Sequence, residues 1–556
     1  MVKEPELSFF TNPRRVGGAV LTTLAALLVL AALIVPDQIT RLPPGNPIGN
    51  ALLRIPIEGL VATAILIVLP SRPRKILAGV LGFVLGLLTV IKIVDLCFYS
   101  VLAREFDPVL DWPLIGDGYS FLQDSTGKTG ALLVAIGAVV LIAAIMTFMT
   151  LAVMRLSRLL SAHKRVTGHT LFAFASAWVV CLVLGVQIVG GVPVAASSAA
   201  ALARDTALKL PQDIADQKAF EREVQVDAFK NTPGDQLLTG LQGKDVIVGF
   251  VESYGRDALE NPEFNTQVLA QLKGDQGKLA EKGFAAESGF LTSSTAGGGS
   301  WLAHSTFLSG LWIDNQQRYQ NLVGGDRFTL TRAFKKAGYR TVGVEPGVTY
   351  AWPEGNFYGY DQVWDSHTLG YHGPSLSWST MPDQFVLKQF ENLEYAKRQG
   401  PLLAEITLTS SHTPWAPLPH TLDWNQIGDG SVYGPMVAAA EGPGKLWQHN
   451  HDIKEAYAKS IAYSVDSLIS FIQNYGDDNL VMVFLGDHQP ASVVVGQNAS
   501  HDVPITIVAK DKSVFNKIAG WGWTDGLTPA PDAPVWPMNQ FRDRFLTAFG
   551  SDEAAK

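Results

Sequence analysis

The most informative stretch of this sequence is Leu480-Val-Met-Val-Phe-Leu-Gly486-Asp487-His488, an apolar run that ends in an Asp-His pair. A second apolar run, Val246-Ile-Val-Gly-Phe-Val251, ends in Glu252. Continuous apolar runs of this length are typical of strands that are buried on both faces of a parallel sheet. Because carboxylates and histidine are ligands for divalent cations, the two runs predict a metal site where both strands end.

The pattern from residue 244 onward alternates strands with helices. The predicted strands are Asp245–Val251, Tyr339–Val344, Leu402–Thr409, Leu480–Leu485 and Pro504–Val508, and the predicted helices include Leu302–Leu311, Phe328–Ala337, Asp383–Lys397 and Glu455–Tyr475. This alternation predicts an α/β domain with a mostly parallel central sheet. Ligands of such sheets bind outside the carboxyl ends of the strands, which is where Glu252, Asp487 and His488 fall.

The first 193 of the 556 residues have a different character, because apolar residues are concentrated there. Five stretches reach or approach the roughly 20 residues that cross a bilayer as a helix. They lie at about 16–35, 51–69, 77–98, 131–153 and 171–192. The sequence therefore predicts a five-helix transmembrane domain over 1–193, a helical linker on the membrane surface over 194–243, and a catalytic domain over 244–556.

The charges between these spans predict an orientation. Arg72, Arg74 and Lys75 follow the second span, and Arg155 and Arg158 follow the fourth, whereas the loop after the third span is acidic. Basic loops stay on the cytoplasmic side, so we expect a cytoplasmic N-terminus. With five spans, everything after residue 193 then lies outside the cytoplasm, which for a bacterial inner membrane protein is the periplasmic or extracytoplasmic side.

Composition excludes several classes of function. The formal net charge is −8 and no basic stripe is present, which argues against binding to nucleic acid. The two cysteines, Cys97 and Cys181, both lie in apolar segments. A disulfide framework and a cysteine-ligated metal site are therefore excluded. The sequence does not indicate an oligomeric state.

A candidate nucleophile lies between the first two strands of interest. Three glycines, 297–299, precede Ser300, and the residues after it are predicted to be helical. A hydroxyl at a helix N-terminus is well placed to ionise or to meet an anion, but serine needs a base or a metal to become a good nucleophile. A divalent cation held by Glu252, Asp487 and His488 would supply that activation. The alternative is that Ser300 only caps the helix.

Other residues are candidates for contact with a substrate. His412 follows a predicted strand and should emerge at the same edge of the sheet, and His501 precedes the last strand. Trp352 and Glu354 follow the strand that ends at Val344 and could form a wall of the site. His304, one turn after Ser300, is expected to be a packed helix residue.

Together these motifs resemble the lipoteichoic acid synthase and phosphoethanolamine transferase group, in the sulfatase-like branch of the alkaline phosphatase superfamily. The resemblance rests on five predicted spans and on four motifs in the same order: Phe250-Val-Glu-Ser-Tyr-Gly255, Gly298-Gly-Ser300, Ser411-His-Thr-Pro-Trp415 and Phe484-Leu-Gly-Asp-His488. It extends over essentially the whole chain.

The resemblance implies a role for each matching residue. Glu252, Asp487 and His488 match the metal ligands, and Ser300 matches the nucleophile, usually threonine, which also touches the metal. His412 matches a histidine that contacts the transferred phosphate. The implied cofactor is one manganese or zinc ion. The implied reaction transfers a phosphoethanolamine or phosphoglycerol headgroup from a membrane phospholipid, through a covalent phosphoserine, to a hydroxyl of an envelope glycan or lipid.

One departure from the pattern bears on the donor. Lipoteichoic acid synthases have an arginine two residues after a tryptophan in the pocket for glycerol phosphate, whereas this chain has Trp352 and then Glu354. Our hypothesis is that Glu354 favours a cationic headgroup such as ethanolamine. The cysteines of many ethanolamine transferases are also missing from the soluble half, so neither subgroup fits cleanly.

Three alternatives remain beside the transferase interpretation. A true sulfatase is disfavoured because Ser300-Trp-Leu-Ala-His304 lacks the proline and arginine of the C/S-x-P-x-R signature. A membrane-anchored phosphodiesterase that releases the headgroup to water differs only in the acceptor. A non-catalytic envelope assembly protein is disfavoured because all four predicted metal-site positions are present.

Overall fold

A computed structural model of the chain describes residues 13–35, 53–102, 106–108, 110–112, 114–189, 192–376, 379–440, 442–496 and 499–551. The chain forms two compact units. One comprises Met1–Ser100 and Arg104–Ala215, and the other comprises Val101–Ala103 and Asp216–Lys556. The main division thus falls at residue 215, inside the predicted linker segment.

The N-terminal region is mostly helical. Its helices are α1 (Pro13–Ile34), α2 (Ile57–Val68), α3 (Ser71–Leu102), α4 (Leu114–Ala162), α5 (Lys164–Val183) and α6 (Ser198–Gln225). Gly127 has φ +74°, so α4 is two helices joined at that residue. The short strands are β1 (Ile55–Pro56), β2 (Gln187–Val189), β3 (Val192–Pro193) and β4 (Ala195–Ala196), which pair as β1 with β4 and β2 with β3.

Within the described residues, four helices are long and apolar enough to cross a membrane. They are Val16–Ile34, Ser71–Tyr99, Gly127–Ala162 and Lys164–Val183. The prediction at 51–69 differs: residues 51–52 lie outside the described residues, β1 occupies Ile55–Pro56, and the helix that follows is the 12-residue α2. Twelve residues rise about 18 Å, which is short of the roughly 30 Å hydrocarbon core, so α2 is too short to be a fifth spanning helix by itself.

The last predicted span was placed too far along the chain. It was expected over 171–192, whereas α5 covers Lys164–Val183. The physical reason is Gly185, whose left-handed backbone (φ +62°) follows the end of the helix, as glycines do at many helix C-termini.

The second unit is built around a nine-stranded sheet. Its strands are β5 (Asp245–Val251), β6 (Ala285–Thr292), β7 (Arg340–Glu345), β8 (Gln362–Asp365), β9 (Leu402–Leu408), β10 (Leu480–Gly486), β11 (Asp502–Ala509), β12 (Thr524–Asp525) and β13 (Val535–Pro537). The order is β12-β6-β11-β10-β5-β9-β7-β8, with β13 also paired to β6. Strands β10, β5, β9, β7 and β8 are parallel to one another, which confirms the mostly parallel sheet.

Helices surround this sheet. They are α7 (Asp257–Glu260), α8 (Asn265–Glu281), α9 (Ser300–Ser309), α10 (Gln316–Val323), α11 (Leu330–Lys336), α12 (Gly355–Tyr358), α13 (Asp383–Leu393), α14 (Gly434–Ala439), α15 (Pro443–Leu446), α16 (Asn450–Tyr475), α17 (Ser492–Val495), α18 (Lys512–Ile518) and α19 (Phe541–Phe549). Three of the four predicted helices correspond to α9, α11 and α16, and the fourth ends earlier than expected, since α13 stops at Leu393.

Alternate residues of the central strands enter two different cores. Ile247 and Met482 pack in one core, together with Leu468 of α16. Val248 and Val483 pack in the other, with residues of α9, α11 and α19. All seven residues of β5 and all seven of β10 are buried, so both strands are covered on both faces and their apolar runs have a physical explanation.

Strand β11 runs against the direction of β10 and β6. In a wholly parallel sheet a residue just before a strand lies at the edge opposite to the ligand-binding ends. Because β11 is antiparallel, its first residue, Asp502, lies beside Thr292 at the end of β6, and His501 lies at the same edge as Glu252 and Asp487.

Candidate active site

Two neighbouring parallel strands deliver the predicted metal ligands to one place. Val251 of β5 is in register with Gly486 of β10, so Glu252 and Asp487 emerge side by side. The backbone of the loop after β5 passes so close to residue 486 that this residue has to be glycine. A Cβ there would lie 1.8 Å from the carbonyl oxygen of Tyr254.

Glu252, Asp487 and His488 form what we call the strand-end cluster. One ligand atom from each lies within 4.8 Å of the others, and all three residues are buried. Among the described residues this is the one group of histidine, cysteine and acidic side chains that could hold a metal ion. His488 Nε2 lies 3.3 Å from Glu252 Oε1 and 3.8 Å from Asp487 Oδ2.

The loop after β5 holds the cluster through its backbone and side chain. Ser253 donates from its amide to Asp487 Oδ1 at 2.7 Å and from its hydroxyl to Glu252 Oε1 at 2.8 Å. Its φ of +58° is in the left-handed region, which is uncommon for a residue other than glycine and is concentrated at functional sites. The sequence analysis did not identify this role of Ser253.

Charge is unevenly shared within the cluster. Burial would lower the pKa of His488, but the charges of Asp487 and Glu252 raise it to about 9. Burial opposes ionisation of Glu252, yet the charge and hydrogen bond of His488 hold the pKa of Glu252 well below its usual range. Burial, reinforced by the charge of Glu252, raises the pKa of Asp487.

These features fit a divalent cation. Asp487 Oδ2 is buried and has no hydrogen-bond partner among the described residues, which is costly for a carboxylate. Two carboxylates and one imidazole are a suitable donor set for zinc or manganese. A cation would take up the unpartnered oxygen and favour the ionised form of both acids.

Ser300 lies against this cluster. Its Oγ donates to Glu252 Oε2 at 2.8 Å and lies 3.2 Å from His488 Nε2. It is the first residue of α9, and Gly299 before it has φ +80°, which a residue with a side chain rarely adopts. No hydrogen bond from its side chain caps the helix among the described contacts, so the hydroxyl is directed to the cluster.

The other predicted residues are placed less directly. His412 is half-buried, and its charge acts to lower the pKa of Glu252, so the two lie close together. Its Nδ1 lies 2.6 Å from the carbonyl oxygen of Thr413. His501 is exposed, and its carbonyl oxygen accepts from the Ser293 amide at the same edge of the sheet.

Trp352 and Glu354 lie after β7, as predicted. The ring of Trp352 lies 5.8 Å from that of Tyr358, and Glu354 immediately precedes α12. Among the described residues, no hydrogen bond or ion pair joins Glu354 to the strand-end cluster. The contact of Glu354 with a substrate therefore stays a prediction.

Two serines that the sequence analysis missed support the loops of the site. Ser411 donates from Oγ to the carbonyl oxygen of Glu252 at 2.6 Å, and Ser293 donates to that of Asp487 at 2.6 Å. Ser411 is the residue before His412, so one bond ties the histidine loop to the metal-ligand loop. The Ser-His pair in the sequence was the available signal.

A second buried group of acids and histidine lies nearby, and we call it the inner cluster. It consists of Glu345, Glu405 and His304. His304 Nδ1 lies 3.5 Å from Glu405 Oε1, and the His304 ring stacks on Phe250. Glu405 accepts a hydrogen bond from the hydroxyl of Tyr360, and Glu345 accepts one from Thr407 at 2.9 Å.

The inner cluster is neutral near pH 6. Burial raises the pKa of Glu345 to about 7, and burial together with Glu345 raises that of Glu405 well above its ordinary value. Burial lowers the pKa of His304 to about 3. Although His304 is within ion-pair distance of Glu405, its imidazole is therefore uncharged, which agrees with the prediction that it is a packed residue.

Comparison with known proteins gives one match to a family model. A family model described as Sulfatase matches residues 244–512. The sequence has no match among curated proteins. Several solved structures are also similar to it, and three of them have 13–16% identity.

The lipoteichoic acid synthase LtaP of Listeria monocytogenes is 16% identical, with 60% of this chain and 78% of that chain covered and a TM-score of 0.38. The phosphoglycerol transferase of Streptococcus pyogenes, solved with sn-glycerol-1-phosphate, is 13% identical, with 60% and 89% covered and a TM-score of 0.35. The soluble domain of lipooligosaccharide phosphoethanolamine transferase A from Neisseria meningitidis is 15% identical, with 58% and 94% covered and a TM-score of 0.35. These likenesses do not by themselves assign an activity. The Sulfatase model itself matches just under half of the 556-residue chain.

Proposed function

We propose that the protein is a membrane-bound phosphotransferase that moves a phospholipid headgroup to a hydroxyl acceptor of the cell envelope through a phosphoserine at Ser300. The observation that carries this proposal is the position of the Ser300 hydroxyl, 2.8 Å from Glu252 Oε2 and 3.2 Å from His488 Nε2. It is a hydroxyl at a helix N-terminus, beside three metal-type ligands, in a chain with four helices that could cross a membrane.

Glu252, Asp487 and His488 would hold one manganese or zinc ion, and Ser300 would be its fourth contact. When bound, such an ion lowers the pKa of a hydroxyl beside it and withdraws charge from phosphoryl oxygens. The protein residues contribute orientation: the N-terminus of α9 presents its amide groups to an anion. His412, which lies close enough to Glu252 to affect its pKa, would contact the phosphoryl oxygens.

The reaction has two balanced steps. In the first, Ser300 Oγ forms a bond to the phosphorus of the lipid, the bond from phosphorus to the diacylglycerol oxygen breaks, and that oxygen takes a proton to replace the one that Ser300 loses. In the second, an acceptor oxygen attacks the same phosphorus, the Oγ–P bond breaks, and the acceptor proton returns to the serine. Covalent catalysis of this kind divides one difficult transfer into two.

Sulfatase activity is not favoured, despite the family match. The residues from Ser300 to His304 lack the proline and arginine of the sulfatase signature. The apolar N-terminal helices point instead to a substrate that is in the membrane. We further propose, from the charges of the loops, that the catalytic domain lies on the extracytoplasmic side of a bacterial inner membrane, which requires a fifth crossing that includes α2.

The direct test uses the full-length protein in detergent with manganese or zinc, a fluorescent phosphatidylethanolamine or phosphatidylglycerol, and a tagged hydroxyl acceptor. Transfer predicts that diacylglycerol is released and that the tag gains the headgroup in equal amounts. Release of diacylglycerol with free headgroup only would identify a hydrolase, and no release with either lipid would favour a non-catalytic envelope protein.

The headgroup is tested separately with Glu354→Arg. If Glu354 favours an ammonium group, the variant should lose preference for phosphatidylethanolamine over phosphatidylglycerol by about tenfold, which corresponds to about 1.4 kcal/mol. An unchanged ratio of the two rates would reject the role of Glu354 without affecting the assignment of Ser300.

A further inference from the structure

A buried tyrosine of α16 hydrogen-bonds to the loop that supports two of the predicted metal ligands. Tyr457 is fully buried, and its hydroxyl donates to the carbonyl oxygen of Ser253 at 2.9 Å. Ser253 is the residue whose amide donates to Asp487 and whose hydroxyl donates to Glu252. One bond from a helix therefore reaches the residue through which both carboxylates of the strand-end cluster are held.

The backbone of Ser253 needs such support. Its φ of +58° lies in the left-handed region, which is unfavourable for a residue with a side chain. The carbonyl oxygen of Ser253 also accepts from the amide of Gly255 at 3.0 Å, but that donor belongs to the same loop and moves with it. The Tyr457 hydroxyl is a donor from a separate element, so it fixes this peptide group relative to the rest of the domain.

The ring of Tyr457 is held in place by other aromatic side chains. It meets Phe264 edge to face at a centroid distance of 5.5 Å and Trp415 at 5.9 Å, with interplanar angles of 85° and 79°. Both partners are buried, and near-perpendicular contacts of this kind are favourable between aromatic rings. Trp415 lies three residues after His412, so the ring of Tyr457 packs against the histidine loop while its hydroxyl bonds to the loop after β5.

The same helix also holds the histidine loop through a chain of hydrogen bonds. Ser464 follows Tyr457 by about two helical turns and therefore lies on the same face of α16. Ser464 donates to Oδ2 of Asp383 at 2.6 Å, and Oδ1 of Asp383 accepts from the amide of Ser410 at 2.9 Å. Ser410 lies two residues before His412. Helix α16 is thus connected to both of the loops that carry predicted site residues.

We propose that Tyr457 is a positioning residue of the metal site: its hydroxyl keeps Ser253 in the conformation that orients Glu252 and Asp487 toward one cation. This inference rests on the proposed function only in taking the strand-end cluster as the metal site. Without the hydroxyl, Ser253 can leave the left-handed region. Its hydroxyl then turns relative to its amide, and the two groups no longer hold both carboxylates.

The test measures metal affinity rather than turnover. Full-length protein in detergent is titrated with manganese chloride, and free Mn²⁺ is followed by its electron paramagnetic resonance signal. Tyr457→Phe keeps the ring and its aromatic contacts and removes the donor alone. We expect manganese to bind about tenfold more weakly, at the lower end of the effect of removing a residue that hydrogen-bonds to a metal ligand.

Tyr463→Phe, on the same helix, is the matched control. The Tyr463 hydroxyl is buried and has no hydrogen-bond partner among the described residues. Its removal takes no partner from the Ser253 loop, so manganese affinity should stay within about twofold of that of the unmodified protein.

A second variant decides the proposal even where Tyr457→Phe is unstable. 4-Aminophenylalanine in place of Tyr457 keeps an N–H donor at the same ring position and should hold manganese affinity within about threefold of that of the unmodified protein. An unchanged affinity in Tyr457→Phe, with or without a lower Tm, would make Tyr457 a packing residue only and overturn the proposal. Equal weakening in Tyr457→Phe and Tyr463→Phe would also overturn it, as would a 4-aminophenylalanine variant that binds as weakly as expected for Tyr457→Phe.

These outcomes are separate from those of the proposed function. Selective weakening of manganese binding by Tyr457→Phe, in a protein that cleaves no phospholipid, would support the positioning role and reject the transferase. Cleavage through Ser300 with a metal affinity that does not depend on Tyr457 would do the reverse. If manganese does not bind, the same comparison is made with zinc in competition with a chromogenic chelator, and an unmodified protein that binds neither ion would overturn both proposals.

Discussion

The strand-end cluster and the inner cluster contain the same residue types, two acids and one histidine, but they differ in charge and in hydrogen bonding. In the strand-end cluster His488 is held in its charged form, Glu252 is ionised, and one oxygen of Asp487 has no partner among the described residues. In the inner cluster hydroxyl groups satisfy the acids, and the histidine is neutral.

The partners of the buried acids distinguish a candidate site from a packed polar group. Burial does not distinguish the two clusters, since all six residues lie largely away from solvent. Among the described residues, the atom without a partner in the strand-end cluster is a carboxylate oxygen of Asp487, whereas in the inner cluster it is the ring nitrogen Nε2 of the neutral His304. The hydroxyl of Ser300 is directed at the strand-end cluster. Hydrogen-bonded hydroxyls make a buried acid tolerable as a neutral group, whereas an unpartnered carboxylate oxygen beside ionised neighbours calls for a cation.

The largest expected effect comes from exchanging serines on α9. Ser300→Ala should lower phospholipid cleavage by at least about 10⁴-fold, because removal of a covalent nucleophile is among the most severe losses in enzymes. Ser305, on the same helix, bonds the hydroxyl of Tyr358 at 2.7 Å. Ser305→Ala is the matched control and should retain most of the activity. Equal losses in both variants, measured as initial rates of diacylglycerol release, would reject Ser300 as the nucleophile at the strand-end cluster.

The next largest effect is expected in metal binding, which should differ between variants of the two clusters. Asp487→Asn should weaken manganese or zinc binding by more than about 100-fold, because the variant loses a residue that contacts the metal directly. Loss of a residue that only hydrogen-bonds to a metal ligand already lowers metal affinity by about 10- to 100-fold. Glu405→Gln should bind the metal as the unmodified protein does. Metal content after dialysis, by mass spectrometry, checks both. Loss of metal from Glu405→Gln would show that the inner cluster holds an ion.

Stability should depend on pH through Glu345. Its pKa in the folded protein is about 7, raised by burial above an ordinary value of 4.5. Between pH 4.5 and 7 the folded protein keeps a proton that the unfolded chain has released, so this contribution to stability falls as pH rises. Glu345→Gln should therefore stabilise the protein at pH 8, with a higher Tm and an unfolding free energy that is greater by up to about 3 kcal/mol. At pH 4.5 the variant should gain little stability.

Thermal unfolding at a series of pH values measures this effect. A gain that is as large at pH 4.5 as at pH 8 would show that Glu345 is not protonated in the folded protein.

The smallest effect is expected at His304. His304→Phe keeps a flat ring against Phe250, where the present rings lie 3.8 Å apart, and it removes only a neutral imidazole. Activity should stay within about threefold.

His412→Ala, in contrast, should lower activity by more than about 100-fold, since charge-stabilising groups at reacting phosphates contribute at that level. Comparable rates for the two variants would mean that His412 has no part in the reaction.

Much of this architecture was predictable from apolar patterns. The strands β5 and β10 are recognisable because they are buried on both faces, and the ligands Glu252, Asp487 and His488 follow from where those strands end. Strand β6 was missed because Glu287 and Ser288 interrupt its apolar pattern. The reversed direction of β11 was also unpredictable, since direction depends on pairing with β6 and β10 and not on the strand's own residues.

The parts of the site that escaped prediction are those that depend on contacts between distant segments. Ser253 and Ser411 are ordinary serines in the sequence, and their importance comes from bonds to Asp487 and to the Glu252 backbone. Gln489 follows a recognised motif, but the buried side-chain oxygen Oε1, which has no hydrogen-bond partner among the described residues, is visible only in three dimensions. The failure of α2 to extend over a full span depends similarly on where the helix begins, at Ile57 after the extended residues of β1.

Ser300 is proposed to carry the headgroup during the reaction, and mass spectrometry of the protein would detect this covalent intermediate. The full-length protein would be mixed with metal and phosphatidylethanolamine or phosphatidylglycerol without acceptor, quenched with acid and digested. We predict that the peptide containing Ser300 gains the mass of phosphoethanolamine or phosphoglycerol, and that the added mass is lost when acceptor is supplied before quenching. Cleavage of the lipid with no adduct on this peptide, together with an active Ser300→Ala variant, would contradict the claim.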